Sequence, residues 1–141
     1  MKNKIIIFLI LFLVVGYDQV NSDEFIFQSK YIDIKNDGNT IQAKNGVKII
    51  ANNNIEITAD ESLYNKLTLK LFLKGNVVLI DKERDIKISS EEAIYDKSNE
   101  KILSKGKVTT YLANSHTLYA QNLEYLKKDK ILKKIWICLK T

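Results

Sequence analysis

The feature that most constrains the fold of this chain is a repeat of about thirty residues. Each clear copy opens on an Ile-x-Ile run, continues to a tyrosine and closes on a Gly-x-Val triplet. The equivalent positions that lie 31 residues apart are Ile55 and Ile86, Tyr64 and Tyr95, and Gly75 and Gly106. A fixed period in this range is typical of stacked units, each of which buries its apolar face only against its neighbours. The chain of 141 residues is therefore predicted to form one β-domain built by repetition.

Two weaker copies flank the clear ones. Upstream, Phe25-Ile26-Phe27 matches the opening of the unit, and Asn45-Gly46-Val47 matches its close. Downstream, His116 opens a fourth unit, which has Tyr125 at the tyrosine position and lacks the closing triplet. Because isoleucine occupies the position of His116 in the sister units, we expect this residue to be a half-buried strand histidine without a functional role.

Apolar and polar residues alternate through each unit, which predicts strands with one buried and one solvent-facing side. Glycine and asparagine clusters predict turns, among them Asn45-Gly46, Gly75-Asn76 and Ser104-Lys105-Gly106-Lys107. We therefore expect each unit to hold three or four short strands joined by tight turns. The spacing in Gln121–Lys134 also suits a helix, but the repeat favours two strands around a turn at Lys128-Asp129.

The N-terminal segment has the features of a secretory signal peptide. Lys2 and Lys4 precede an apolar run from Ile5 to Val15, and small residues up to Ser22 offer a cleavage point. The run has 11 residues, fewer than the about 20 that span a bilayer, so cleavage is favoured over a retained anchor. Residues 1–22 are therefore expected to direct export to the periplasm.

The residue inventory argues against an enzyme. His116 is the single histidine and Cys138 the single cysteine, so the sequence offers no multi-histidine metal site, no histidine relay and no internal disulfide. We expect no cofactor and no nucleic-acid partner. Cys138 is expected to be a buried thiol in a last strand, with a partner-linked or reactive thiol as the alternative.

Basic residues are in modest excess, with a formal net charge of +5 that fits an anionic partner without requiring one. A lysine cluster near the C-terminus suits either solvation of a terminal strand or contact with lipid phosphates or a partner protein. This cluster comprises Lys127, Lys128, Lys130, Lys133 and Lys134.

The units resemble the OstA-like domain of the lipopolysaccharide transport proteins, over roughly Phe25 to Lys130. One copy carries the resemblance in Ile55-x-Ile57-x-Ala59-Asp60, Tyr64-Asn65 and Gly75-Asn76-Val77, and the next in Ile86-x-Ile88-x-Ser90, Tyr95-Asp96-Lys97 and Gly106-Lys107-Val108. The resemblance implies an all-β fold, a β-jelly-roll that is an open sandwich of two antiparallel sheets. The domain is then expected to span residues 23–130, with 131–141 as a C-terminal tail or last strand.

The same resemblance implies a function. The apolar interior of such domains holds the acyl chains of lipopolysaccharide, and their open edges join domains head to tail by main-chain pairing. The implied partners are lipopolysaccharide, an inner-membrane LptC-like protein, an outer-membrane LptD-like protein and further copies in a head-to-tail homo-oligomer. Unprotected edges are physically suited to strand addition, and proline, which often protects them, is absent from the sequence.

Alternation in the strands indicates which side chains line the interior. The residues expected to contact lipid are Ile55, Ile57, Leu69, Leu71, Leu73, Val77, Leu79, Ile86, Ile88 and Val108. The same residues would also fill the core of any sandwich. If the groove is open along its length, a charged residue at Ile57 or Leu73 should weaken lipid capture more than folding.

Several kinds of protein share this domain, and the sequence separates them only in part. The signal segment disfavours an anchored LptC-like protein, and the length disfavours a complete LptD-like translocon. We therefore expect a periplasmic LptA-like bridge. The alternatives are an N-terminal fragment of an LptD-like translocon and a secreted β-solenoid used as a scaffold or interaction protein.

Overall fold

Nine β-strands form the part of the chain that the computed structural model describes, namely residues 25–51, 54–113, 116–129 and 131–135. The strands are β1 (Ile26–Lys35), β2 (Thr40–Ala51), β3 (Ile55–Ala59), β4 (Glu61–Asn65), β5 (Lys70–Asp81), β6 (Ile86–Asp96), β7 (Lys101–Leu112), β8 (His116–Leu126) and β9 (Ile131–Ile135). The all-β prediction is confirmed, including strands rather than a helix over Gln121–Lys134. Within these residues, no helix is long and apolar enough to cross a membrane.

The strands form one antiparallel meander in the order β1-β2-β3-β5-β6-β7-β8-β9. β4 continues from β3 past Asp60 and pairs with the same two neighbours, β2 and β5. Each repeat unit therefore contributes one hairpin of two long strands, where the sequence had suggested three or four short ones. β1 and β9 lie at the two edges of the described sheet.

The glycines predicted to form turns instead interrupt long strands. The register between β5 and β6 shifts between Lys74 and Val77, and Gly75 lies at this bulge with a φ of 76°. Gly106 occupies the equivalent bulge in β7 with a φ of 74°. Glycine suits this left-handed conformation because it has no Cβ to clash with the backbone. A bulge bends its strand, so these repeated positions fold the sheet.

The bend gives the single sheet two facing layers. The upper layer comprises residues 26–29, 47–51, 55–59, 77–81, 86–90, 108–112 and 116–120. The lower layer comprises residues 31–35, 40–44, 61–65, 70–74, 92–96, 101–105, 122–126 and 131–135. Side chains from the two layers meet in the core, as where the rings of Phe27 and Tyr64 lie 6.1 Å apart. The predicted open sandwich is confirmed, with continuous strands supplying both layers.

Gly75→Ala is expected to destabilise the fold by more than Gly46→Ala. Both glycines have positive φ, 76° and 85°, so alanine at either position costs about 1–2 kcal/mol of backbone strain. A Cβ at Gly75 would also lie only 2.9 Å from the Cβ of Asp60, whereas a Cβ at Gly46 meets nothing within 4 Å. Thermal unfolding of the two variants measures the difference, and equal melting temperatures would contradict close packing at the Gly75 bulge.

Candidate functional site: the apolar interior and its two open ends

The centre of the sandwich is a closed apolar core. Of the ten side chains predicted to line the interior, eight are no more than 3% exposed: Ile55, Ile57, Leu71, Leu73, Val77, Leu79, Ile88 and Val108. Ile86 is half-buried and packs against the same cluster. The structure therefore brings nine of the predicted residues together between the two layers. Their close packing gives them a structural role, and contact with a ligand remains a prediction for each of them.

Leu69 does not share this position. It is 38% exposed and has a φ of 54°, because it ends a turn and β5 begins only at Lys70. The side-chain oxygen of Asn65 accepts hydrogen bonds from the backbone N–H groups of Leu67 and Thr68, at 2.9 and 3.0 Å. These bonds fix the turn, so Leu67 and Leu69 precede the strand in which Leu71 and Leu73 lie. Leu69 therefore lies in a turn at the margin of the interior rather than in the closed core, and its contact with lipid stays a prediction.

Inward-facing side chains are exposed at the end of the sandwich that the C-terminal strands β8 and β9 form. Leu118 pairs with the fully buried Thr110 and shares its face of the sheet, yet it is 42% exposed. Among the described residues, β9 pairs only with residues 122–126 of β8, so no strand flanks residues 116–120 on the far side. A cavity of about 340 Å³ opens here and is lined by Thr117, Leu118, Tyr119, Ala120, Leu123 and Leu132.

The first end, formed by β1, repeats this arrangement. Ile32 pairs with the buried Ala43, and Ile34 pairs with Ile41, which packs against the core. Both β1 side chains thus face the interior, but Ile34 is 62% exposed because β1 is the edge of the sheet. Within the described ranges, the interior is therefore accessible from both ends. Alternation did not single out these residues, because it identifies the inward face of a strand but not which strand lies at an end of the sheet.

A buried polar cluster joins the two layers at their turn ends. The hydroxyl of Tyr125, in the lower layer, donates a 2.7 Å hydrogen bond to Asp81 Oδ2 in the upper layer. The guanidinium of Arg84 donates to the same oxygen at 2.9 Å. Asp81 Oδ1 accepts from the backbone N–H groups of Glu83 and Arg84, which closes the turn after β5. Asp81 and Tyr125 are both fully buried, so their hydrogen bond is a buried polar contact that holds the layers together.

This cluster changes the ionisation of its members. Burial alone raises the pKa of Asp81, but hydrogen bonds from Tyr125 and Arg84 outweigh it and leave the pKa below its ordinary value of 3.8. Burial and the hydrogen bond to Asp81 raise the pKa of Tyr125. Asp81 is therefore a carboxylate and Tyr125 a neutral phenol at neutral pH. Their role is structural, because their hydrogen bond holds the two layers together.

Two expectations about single residues need correction. His116 lies at the start of β8 and is exposed, where a half-buried side chain was expected. Lys127 is only 9% exposed, so solvation does not describe this member of the lysine cluster. Cys138, like residues 1–22, lies outside the described residues.

An antiparallel sheet folded into two layers, with an apolar interior reached from both ends, defines the class of open β-jelly-roll proteins. The sequence pattern of the family described as "Lipopolysaccharide-assembly, LptC-related" matches residues 27–133, which is most of the chain. The chain belongs to this family. None of the curated proteins matches its sequence.

Solved structures support the fold independently. One of those that match is the crystal structure of LptH, the LptA homologous periplasmic component of the lipopolysaccharide transport device from Pseudomonas aeruginosa. The TM-score is 0.71 at 9% sequence identity, and the match covers 79% of this chain and 82% of LptH. At this identity the likeness shows the LptA-like β-jelly-roll fold alone. The family match is to the LptC-related branch that the sequence analysis disfavoured, and it does not support the translocon-fragment or solenoid alternatives.

Proposed function

We propose that this protein is a non-catalytic component of the periplasmic bridge that transports lipopolysaccharide, and that it shields acyl chains in its apolar interior. The observation that supports this most directly is the exposure of inward-facing side chains at both ends of the sandwich, Leu118 at one and Ile34 at the other. Covering apolar surface is worth about 25 cal/mol per Å². Acyl chains entering at either end would gain this free energy and remove these side chains from water.

We propose that acyl contact begins at the two ends. The middle of the core is closed around Ile57 and Leu79, so chains would reach it only if the layers separate. The interior residues predicted from the sequence then form the inner wall that such chains would approach. The end residues, namely Ile32, Ile34, Leu118 and Leu132, form the first contacts.

The edge strands supply the second half of the proposal. In the described part of the sheet, β1 and β9 each pair on one side only, so their other main-chain groups can accept a strand from a neighbouring protein, which extends the sheet and joins the two interiors. The proposed neighbours are inner-membrane and outer-membrane Lpt proteins or further copies of this chain in head-to-tail order. We also propose that residues 1–22 direct export, either as a cleaved signal or as a retained anchor.

Photocrosslinking in cells tests this function. A crosslinker at Leu118 or Ile34 is expected to form adducts with lipopolysaccharide, because both side chains face the interior and are exposed. Tyr111 and Leu63 are the controls, since they are 47% and 39% exposed on strands of the upper and lower layers but face outward. A folded protein without adducts at Leu118 and Ile34, or with equal adducts at all four positions, would exclude an interior lipid site.

A further inference from the structure

A second cavity near the first end of the sandwich combines aromatic walls with two lysines. Its volume is about 240 Å³, and it is lined by Phe25, Phe27, Ile41, Tyr64, Lys66, Leu69 and Lys97. The described lining contains no carboxylate. It therefore joins an apolar volume to unopposed positive charge, which is a chemical combination suited to an anionic amphiphile.

The apolar part of the cavity is built from aromatic rings that pack against one another. The ring of Phe25 packs edge-on against Tyr64 at 4.8 Å and against Tyr95 at 5.5 Å. Phe27 lies 6.2 Å from Phe25, again edge to face. Aromatic pairs in such arrangements contribute stability beyond their buried area. The walls are thus fixed by the fold and do not depend on a ligand.

The two lysines are placed by the repeat. Each lies two residues after a repeat tyrosine, Lys66 after Tyr64 and Lys97 after Tyr95. Their backbone N–H groups donate to the turn that precedes them, at 2.8 Å to the carbonyl of Asn39 and 2.9 Å to that of Leu69. Strands in a sheet are about 4.8 Å apart. Because two strand spacings separate these turns, the lysine backbones lie about 10 Å from each other on one side of the cavity.

Neither ammonium group forms an ion pair with a carboxylate within the described residues, where the ion pairs involve other lysines and Arg84. The Nζ atom of Lys97 instead lies 5.5 Å from the centre of the Phe25 ring. A cation over an aromatic face retains its charge and remains able to donate hydrogen bonds to an anion. By contrast, the cavity on the outer face of the lower layer contains Glu61 and Glu92 beside its lysines.

We propose that Lys66 and Lys97 bind the phosphorylated head group of an amphiphile whose acyl chain lies in the aromatic cavity. This inference rests on the proposed function and adds a head-group contact to it. Phosphate fits because it carries up to two negative charges and several acceptor oxygens, so two ammonium groups can bind it together. The aromatic cavity next to the lysines would hold the acyl chain of the amphiphile, which a free phosphate does not have.

Binding of matched lipids to the full chain tests this assignment. Lysophosphatidate and a monoacylglycerol with the same acyl chain differ only in the phosphate, and inorganic phosphate supplies the head group alone. The wild type is expected to bind lysophosphatidate roughly tenfold or more tightly than the monoacylglycerol, since a charge-assisted contact to each lysine contributes several-fold. The double variant Lys66→Gln/Lys97→Gln should lose this preference and keep its affinity for the monoacylglycerol.

The control is Lys74→Gln/Lys105→Gln, which removes the same charge from the bulge side of the lower layer and should keep the preference. Equal affinity of the wild type for both lipids would overturn the head-group assignment while leaving lipid carriage intact. Equal loss in both double variants would show an effect of net charge alone and would also overturn it. If inorganic phosphate displaces lysophosphatidate at an equal concentration, the two lysines bind free phosphate, and the assignment to an amphiphile is overturned. If neither lipid binds, the proposed function itself fails.

Discussion

Ile57→Asp is expected to unfold the protein. Ile57 is fully buried in the closed centre of the sandwich, and no described cavity offers water or a cation to an aspartate there. Burying an unpaired charge or polar group costs several kcal/mol, whereas the whole stability of a domain is about 5–15 kcal/mol. Circular dichroism during thermal unfolding is the measurement, and we expect the variant to lack a cooperative transition.

Leu118→Asp is the matched control, because Leu118 lies in the same row of paired residues as Ile57 but is 42% exposed. This variant should fold with a melting temperature near that of the wild type and lose lipopolysaccharide binding. An Ile57→Asp protein that folds normally and loses only lipid binding would mean that the groove reaches the centre. The sequence-based prediction applied to a groove that is open along its length, and Ile57 instead lies in a closed core.

Asp81→Ala is expected to lower the free energy of unfolding by about 3 kcal/mol. Removing Asp81 leaves the buried Tyr125 hydroxyl without its carboxylate acceptor and leaves the Arg84 guanidinium with the longer 3.4 Å contact to Glu83. Urea unfolding at neutral pH measures the change. Asp96→Ala is the control, because Asp96 is only half-buried and bonds to Ser98 and Asn99 within its own turn, so we expect a loss below about 1 kcal/mol.

The loss of stability at acid pH provides a second test of the contact between Asp81, Tyr125 and Arg84. The folded-state pKa of Asp81 lies below its ordinary value despite burial, so its carboxylate stabilises the fold above that value. This stabilisation is lost as the pH falls below about 4 and through the folded-state pKa. The wild type should therefore lose stability in acid more steeply than Asp81→Ala. Parallel pH profiles would show that the loss in the variant arises from packing rather than from the ionised contact.

The repeat predicted the fold because its period has a direct physical meaning. Ile55, Ile57 and Ile88 alternate with polar neighbours, and a strand can bury such a pattern on only one side. The same logic failed at Leu69, where the leucine spacing continued into a turn that Asn65 closes. The prediction of a turn at Gly75 was also wrong. A glycine with positive φ suits a tight turn and a bulge equally, and only the pairing of β5 with its neighbouring strands shows that Gly75 lies at a bulge.

The candidate site was less accessible to sequence reasoning. Leu118 and Ile57 both alternate with polar or exposed neighbours, and only the order of strands in the sheet makes one an end residue and the other a core residue. The contact between Tyr125 and Asp81 joins residues 44 positions apart and depends on how the sheet bends. The lysines after Tyr64 and Tyr95 do follow the repeat, and this recurrence was the signal that could have identified them.

The meander also has a consequence for how such a protein can change in size. Nearly all pairing joins strands that are neighbours in the chain, and each repeat unit adds one hairpin with the same bulge. Duplicating one unit would therefore lengthen the sandwich by two strand spacings, about 10 Å, without altering the strands that terminate it. Deleting one would shorten it by the same step. The number of hairpins thus sets the length of the interior, which changes in steps of one repeat unit.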